Sequence, residues 1–431
     1  MKPIVTTACC VAFLVCFSFG KPGLAEKRPR RRFSVPAPQK GTVEVPVDHG
    51  RRGRTRKLHF HRFTRANSAK RPMMFLHGGP GAPVPIARIL ESPFGDTVLR
   101  HFDLVYFDQR GAGRSLTEAE KRRGYVIRSR THYRTRQYVE DVEALRRHFF
   151  GDKQVTIVGS SWGGFLGIAY ALKYPTSVKA LVLGSFAATG RYAANFCTTF
   201  DRKILQAESQ HPSLRDALGS FRKAIEDSKI VWRRGTKQQR LLKPSDAIEV
   251  ILPFAMKAKY AQMAEVLKLI VKGDPKGLKF LDQLDIEKGE TATAGGSLPG
   301  EATLCQVFAD RTAFLNLQRS PPSATYCNNR AVAKSFLKLC KPYFSRKELF
   351  NVERDLPRIK TPTLVFAGQW DPVLEWQTTL RVALGLPNAT FVLINGGHTP
   401  VNAGGTCFAN ALDAFVNNKK MKLSCFVSHW P

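Results

Sequence analysis

Acidic residues are scarce in this chain. Asp and Glu number 34 against 67 Lys and Arg, a formal charge of +33 over 431 residues. Such an excess sets up a field that attracts anionic polymers and membrane surfaces without selecting among them. The devices that would turn that field into sequence-specific reading of nucleic acid are missing. There is no zinc-finger spacing, no RNP-like aromatic motif and no basic leucine zipper. The charge therefore argues for loose contact with anionic surfaces, and against a dedicated nucleic-acid binder.

Long apolar runs are equally rare. The one that stands out, Ile4 to Phe19, is short for a membrane-spanning helix. It follows Lys2 and precedes Gly23-Leu24-Ala25, where small residues suit a signal peptidase. Residues 1–25 are therefore expected to be a cleaved signal peptide, and the protein to be secreted or periplasmic. Residues 26–40 follow as a basic, proline-bearing flexible arm. Metal-binding cysteine patterns are lacking too. Beyond the signal stand Cys197, Cys305, Cys327, Cys340, Cys407 and Cys425, none in a CxxC or His-spaced arrangement. An even count in an exported chain favours disulfides, with fifteen pairings open. No metal and no cofactor is expected.

What is present is enough for a large globular core: 43% hydrophobic and 10% aromatic residues. The stretch Gln154 to Tyr170 organises the rest. Val155, Ile157 and Val158 end a buried strand, and Phe165, Leu166, Ile168 and Ala169 fit a packed helix. Between them lies Gly159-Ser160-Ser161-Trp162-Gly163, a G-x-S-x-G pattern. In a nucleophile elbow the serine takes a strained turn, and bulk two residues either side would collide with strand or helix. An ordinary Gly/Ser turn would spell the same five letters, so the pattern needs its partners.

They follow in order. Met73 to Leu76 runs into His77-Gly78-Gly79-Pro80-Gly81, a turn whose backbone N–H groups can approach a ligand. Gly79 is the expected oxyanion donor there, and the N–H of Trp162 the other. Asp103 to Phe107 leads into Asp108-Gln109-Arg110-Gly111, where Asp108 and Arg110 are expected to tie loops together. Thr363 to Ala367 ends at Asp371, and Thr390 to Ile394 ends at His398. Ser161, Asp371 and His398 thus each close a strand, in the chain order of α/β-hydrolases. A serine hydroxyl needs a base, His398, and the base needs an orienting carboxylate, Asp371. The expected architecture is an α/β-hydrolase fold: residues 41–186 form the first half of the core and residues 356–431 the second. Residues 187–355, where strand and helix cease to alternate, form a mostly helical cap with long helical stretches such as Pro244 to Leu269.

HGGPG at 77–81, DQRGAGRS at 108–115 and GSSWGG at 159–164 resemble the signature set of the proline iminopeptidase and tripeptidyl aminopeptidase family of serine peptidases. The resemblance covers roughly residues 40–186 and 356–425. It implies an exopeptidase acting on a peptide substrate near a free amino terminus, with acidic cap residues meeting the substrate ammonium. It also implies a Cys407–Cys425 disulfide, as in the secreted branch. That branch places an acid two residues after a cap cysteine, whereas Gln306 and Val307 follow Cys305 here. Glu301 and Asp310 are the nearest acids, with Glu208 and Glu226 as alternatives farther off. Two rivals stand beside this expectation: an esterase or amidase on the same triad, and a non-catalytic polyanion-binding protein.

Overall fold

The computed structural model describes residues 35–64, 71–83, 86, 90–188, 195–232, 239–243, 246–284, 297–307, 311–319, 326, 327, 329–343, 352–398 and 404–430. The expected signal peptide, most of the basic arm and the Gly/Thr-rich residues 291–296 lie outside them.

Strands alternate with helices through the first part of the chain. They are β1 (Gln39–Pro46), β2 (Thr55–Phe63), β3 (Arg71–Leu76), β4 (Phe102–Phe107), β5 (Val155–Ser160) and β6 (Val178–Gly184). A short hairpin, β7 (Val231–Trp232) and β8 (Arg240–Leu241), lies within the following helical stretch. Then come β9 (Thr363–Gly368), β10 (Ala389–Ile394) and β11 (Ser428–Trp430). Nine strands form one sheet in the order β1-β2-β4-β3-β5-β6-β9-β10-β11. The central six, β4 to β10, are mutually parallel, and antiparallel pairs close both edges.

Side-chain alternation along these strands builds two layers. Met74, Ile157, Leu181 and Val365 point into a core shared with the helices Thr135–Phe150 and Trp162–Lys173. Met73, Val158, Val182, Leu364 and Phe366 face the other side, against Phe94, Val98, Phe408 and Leu412. Both faces being buried, β5 reads as a continuous run in which all six residues are buried.

Between β6 and β9 the described residues are mainly helical, and their apolar side chains continue the first of these cores. The stretch from Pro244 to Leu269 is not one helix. It divides into Ala247–Ala255 and Tyr260–Val271, with Ala258 at φ 52° between them. The first helix ends in a tight turn, where the N–H groups of Lys257 and Lys259 both donate to Phe254 O at 3.0 Å and that of Ala258 to Ala255 O at 3.0 Å. The break is used: the carbonyl of Met256 turns out to accept the N–H of His398 at 2.9 Å.

Three disulfides form among the described residues. Cys197–Cys327 and Cys305–Cys340 staple the helical insertion to itself, and Cys407–Cys425 ties the last helix to the tail that leads into β11. The pairing left open among four cysteines is thereby resolved.

One group in the insertion works against its surroundings. Glu249 lies half-buried on the helix Ala247–Ala255. Burial, with Asp246 adding to it, pushes its carboxyl up to about 7. Between the ordinary carboxylate value of 4.5 and about 7, the folded chain holds this proton more tightly than the unfolded one. Stability is therefore lost as pH rises through that window. Glu249→Gln is expected to raise the unfolding free energy at pH ~8 by up to about 3 kcal/mol, and to leave it unchanged near pH ~4. Denaturant titrations at the two pH values check this; an equal effect at both would rule out a titrating Glu249.

Candidate active site

Ser161 follows β5 directly and sits at φ 56°, ψ −125°, a conformation rare for a residue with a side chain. Its neighbours hold it there. The Ser161 N–H donates to Gly184 O at 2.9 Å, and its carbonyl accepts from Gly164 and Phe165 at 3.0 and 3.2 Å. No larger residue fits on either side. A Cβ on Gly159 would lie 2.3 Å from Gly163 O, and one on Gly163 would lie 1.9 Å from Leu76 O. The elbow is thus wedged against the end of β3, which begins the glycine loop.

That loop turns through Gly79 at φ 63° and Gly81 at φ 82°, both in the region where glycine is favoured. The carbonyl of Gly79 accepts from Ala82 N at 2.9 Å, closing the turn. Gln109 links it to the elbow. Its amide nitrogen donates to His77 O at 3.1 Å, and its amide oxygen accepts from the Trp162 indole N–H at 2.7 Å. Gln109 is fully buried. The residues flanking it act as the sequence predicts. Asp108 accepts from Arg114 N at 2.9 Å and from the Tyr106 hydroxyl at 3.1 Å. Arg110 makes a two-pronged pair with Asp141 at 2.7 and 2.6 Å, and donates to the carbonyls of Val47 and His132. Burial alone would raise the Asp141 carboxyl; the Arg110 guanidinium more than offsets this and holds it below the usual range.

Asp371 and His398 stand at the ends of β9 and β10, neighbours in the sheet. His398 Nδ1 lies 2.7 Å from Asp371 Oδ2, and each residue is 1% exposed. The other carboxylate oxygen of Asp371 accepts two backbone N–H groups, from Val373 at 2.8 Å and Leu374 at 2.9 Å. Three donors thus set the plane of the carboxylate. Backbone crowding fixes the histidine loop as well. A Cβ on Gly397 would lie 2.2 Å from Met256 O, and one on Gly368 would lie 2.0 Å from Gly397 O. Lys203, on the helix Phe196–Gln210, reaches into the same place, donating to Gln369 O at 2.9 Å. Burial depresses its ammonium, with Glu375 opposing. Ser161, Asp371 and His398 all leave the carboxyl ends of parallel strands, the edge at which α/β sheets bind ligands.

The acids nominated for a substrate amine fare differently. Glu301, on the helix Leu298–Val307, is buried and meets Arg123 at 2.8 Å. Burial raises its carboxyl, and Arg123 offsets only part of that. The start of its helix rests on the glycine loop, since a Cβ on Gly300 would lie 2.0 Å from Pro80 O. Glu208 accepts from the Tyr326 hydroxyl at 2.6 Å, and Glu226 is exposed. Asp310 lies outside the described residues. No cluster of three or more His, Cys, Asp or Glu suited to a metal occurs among the described residues.

Sequence reasoning missed Gln109, Lys203 and the Met256 carbonyl. Gln109 left a signal: a long polar residue two positions after the wholly buried strand β4, where nothing but a partner would keep it. The other two left none, because each meets the site from a part of the chain far away in sequence.

Residues 71–209 match the family described as alpha/beta hydrolase fold, and residues 325–424 match the family described as TAP-like protein. A proline iminopeptidase from Thermoplasma volcanium is 33% identical over 124 residues, 29% of this chain and 37% of that protein. One from Saccharolobus solfataricus is 32% identical over 130 residues, 29% of this chain and 36% of that protein. The match thus spans little more than a third of either relative. A solved thermophilic esterase from Thermogutta terrifontis superposes with a TM-score of 0.46 at 16% identity, over 88% of this chain and 98% of that one.

Proposed function

We propose that this chain, which belongs to the α/β-hydrolase family of proline iminopeptidases and TAP-like proteins, is an exported serine exopeptidase that cuts peptide bonds near a free amino terminus. The observation that carries the reading is the buried 2.7 Å contact between Asp371 and His398, on the sheet edge where Ser161 stands strained. With Nδ1 turned to the carboxylate, Nε2 is the nitrogen left for base chemistry. It takes the Ser161 proton as Oγ bonds to the substrate carbonyl carbon. The oxygen of the resulting tetrahedral species becomes an anion, stabilised by the N–H groups of Gly79 and Trp162. His398 then gives its proton to the leaving amine as the C–N bond breaks, and water repeats the cycle on the acyl-enzyme. The matched relatives named as proline iminopeptidases support a peptide substrate. Three disulfides support an oxidising compartment. No helix among the described residues is long and apolar enough to cross a membrane.

A second reading, an esterase or amidase on the same triad, has one observation behind it. Glu301 already faces Arg123, so an ammonium would have to displace a guanidinium to use it. A buried ammonium without a carboxylate is costly, whereas a neutral ester needs none. One pair of substrates separates the two. A chromogenic prolyl or tripeptidyl anilide with a free amine should be turned over, and its N-acetylated twin should not. Equal turnover of both would leave the esterase or amidase reading standing.

A further inference from the structure

The opposite edge of the sheet carries a second feature, which owes nothing to the peptidase reading. A groove of about 840 Å³ runs beneath the amino ends of β3, β5, β6 and β9, four strands adjacent in the sheet. Each strand start brings it a cation: Arg71 opens β3, Lys153 precedes β5, Lys179 is the second residue of β6, and Lys360 precedes β9 beside Arg358. Adjacent strands lie about 4.8 Å apart, so strand order alone lays these charges in a row. Among the described residues no Asp or Glu lines the groove, and Phe415 supplies part of its apolar wall.

The arginines are occupied. Arg71 donates to Val416 O and to Asn417, under the field of Asp413, and Arg358 pairs with Asp355 at 2.8 Å. Lys153, Lys179 and Lys360 are exposed and form no ion pair with any described residue. Three uncompensated ammonium groups on one groove repel each other, and a multiply charged anion relieves that repulsion. We infer that this groove is a binding site for a linear polyanion carrying closely spaced phosphate or sulfate groups, held by Lys153, Lys179 and Lys360. A ligand there sits a full strand length away from Ser161, about 20 Å for six residues, and leaves the catalytic edge open.

Because the whole chain is basic, the test must separate the groove from the net charge. The triple variant Lys153→Gln, Lys179→Gln, Lys360→Gln is compared with Lys272→Gln, Lys276→Gln, Lys279→Gln, which removes the same charge from exposed positions elsewhere. Binding of tripolyphosphate and of a heparin tetrasaccharide is titrated by calorimetry at several salt concentrations. The groove variant is expected to lose about tenfold or more in affinity near ~0.15 M salt, and its salt slope to fall by roughly one per lost contact. The control should stay within about twofold of the parent. Loss with tripolyphosphate alone assigns a phosphate source, and loss with the tetrasaccharide alone a sulfated one. Equal losses in both variants, or none in the groove variant, would overturn the site. If the triple variant unfolds, Lys179→Gln and Lys360→Gln are measured singly; each should still reduce the salt slope by about one, and unchanged slopes would overturn the site equally.

Discussion

Ser161→Ala is expected to fold as the parent does and to hydrolyse substrate at least a thousandfold more slowly. The substitution removes the only atom proposed to bond to the acyl carbon. It leaves the Asp371–His398 contact, the Gly79 turn and the Gln109 bridge untouched. Losing a triad serine typically costs several orders of magnitude, with a residue of activity left by the oxyanion donors. The strained φ of 56° belongs to the backbone and is shared by alanine, so unfolding should shift little. Labelling by a fluorophosphonate should vanish in the variant. A companion, Asp371→Asn, tests the other end. Asparagine can keep an acceptor toward Val373 and Leu374, but it then turns an amino group toward His398 Nδ1. That forces the wrong tautomer, and about a 10⁴-fold drop in turnover is expected. Activity of Ser161→Ala within tenfold of the parent would mean another nucleophile.

Removing the Cys197–Cys327 disulfide should give the largest loss of stability of the three. Its ends lie 130 residues apart, against 35 for Cys305–Cys340 and 18 for Cys407–Cys425. Loop-closure entropy grows with the logarithm of that separation, giving upper values of about 5, 4 and 3 kcal/mol in that order. Paired Cys→Ala variants, unfolded in denaturant, should keep this rank. The first should also lose activity ahead of global unfolding. Cys197 sits on the helix Phe196–Gln210, and that helix carries Lys203 to the carbonyl two residues before Asp371. Loosening it slackens the loop that orients His398. If the Cys407–Cys425 variant proved the least stable, the entropic ranking would fail, and strain or packing at the tail would have to replace it.

The sheet and the elbow were legible because they are written locally. Buried strands such as β9 and β10 are short apolar runs, and each is followed by a turn with one titratable side chain, Asp371 or His398. The glycines around Ser161 have a steric reason within a few residues of themselves. The insertion was less legible. A run of good helix formers from Pro244 hides the break after Ala255, since only a partner far down the chain, the His398 loop, uses it. Glu301 illustrates the same limit. Its position near Cys305 could be counted along the chain, but its pairing with Arg123 joins residues 178 apart. The disulfides beyond Cys407–Cys425 likewise needed the fold, because six thiols carry no addresses.

Gln109 spends both ends of one amide on two different loops: its oxygen on the Trp162 indole and its nitrogen on the His77 carbonyl. The segments bearing the two proposed oxyanion donors are thereby yoked, so neither can drift without dragging the other. The ordering entropy of such a hole is lost once, when the chain folds, and does not recur with each substrate. Its geometry is then a fixed gauge rather than a glove: acyl groups are sorted by whether their oxygen fits it, and a softened yoke should slow bond-making while leaving substrate capture nearly as it was.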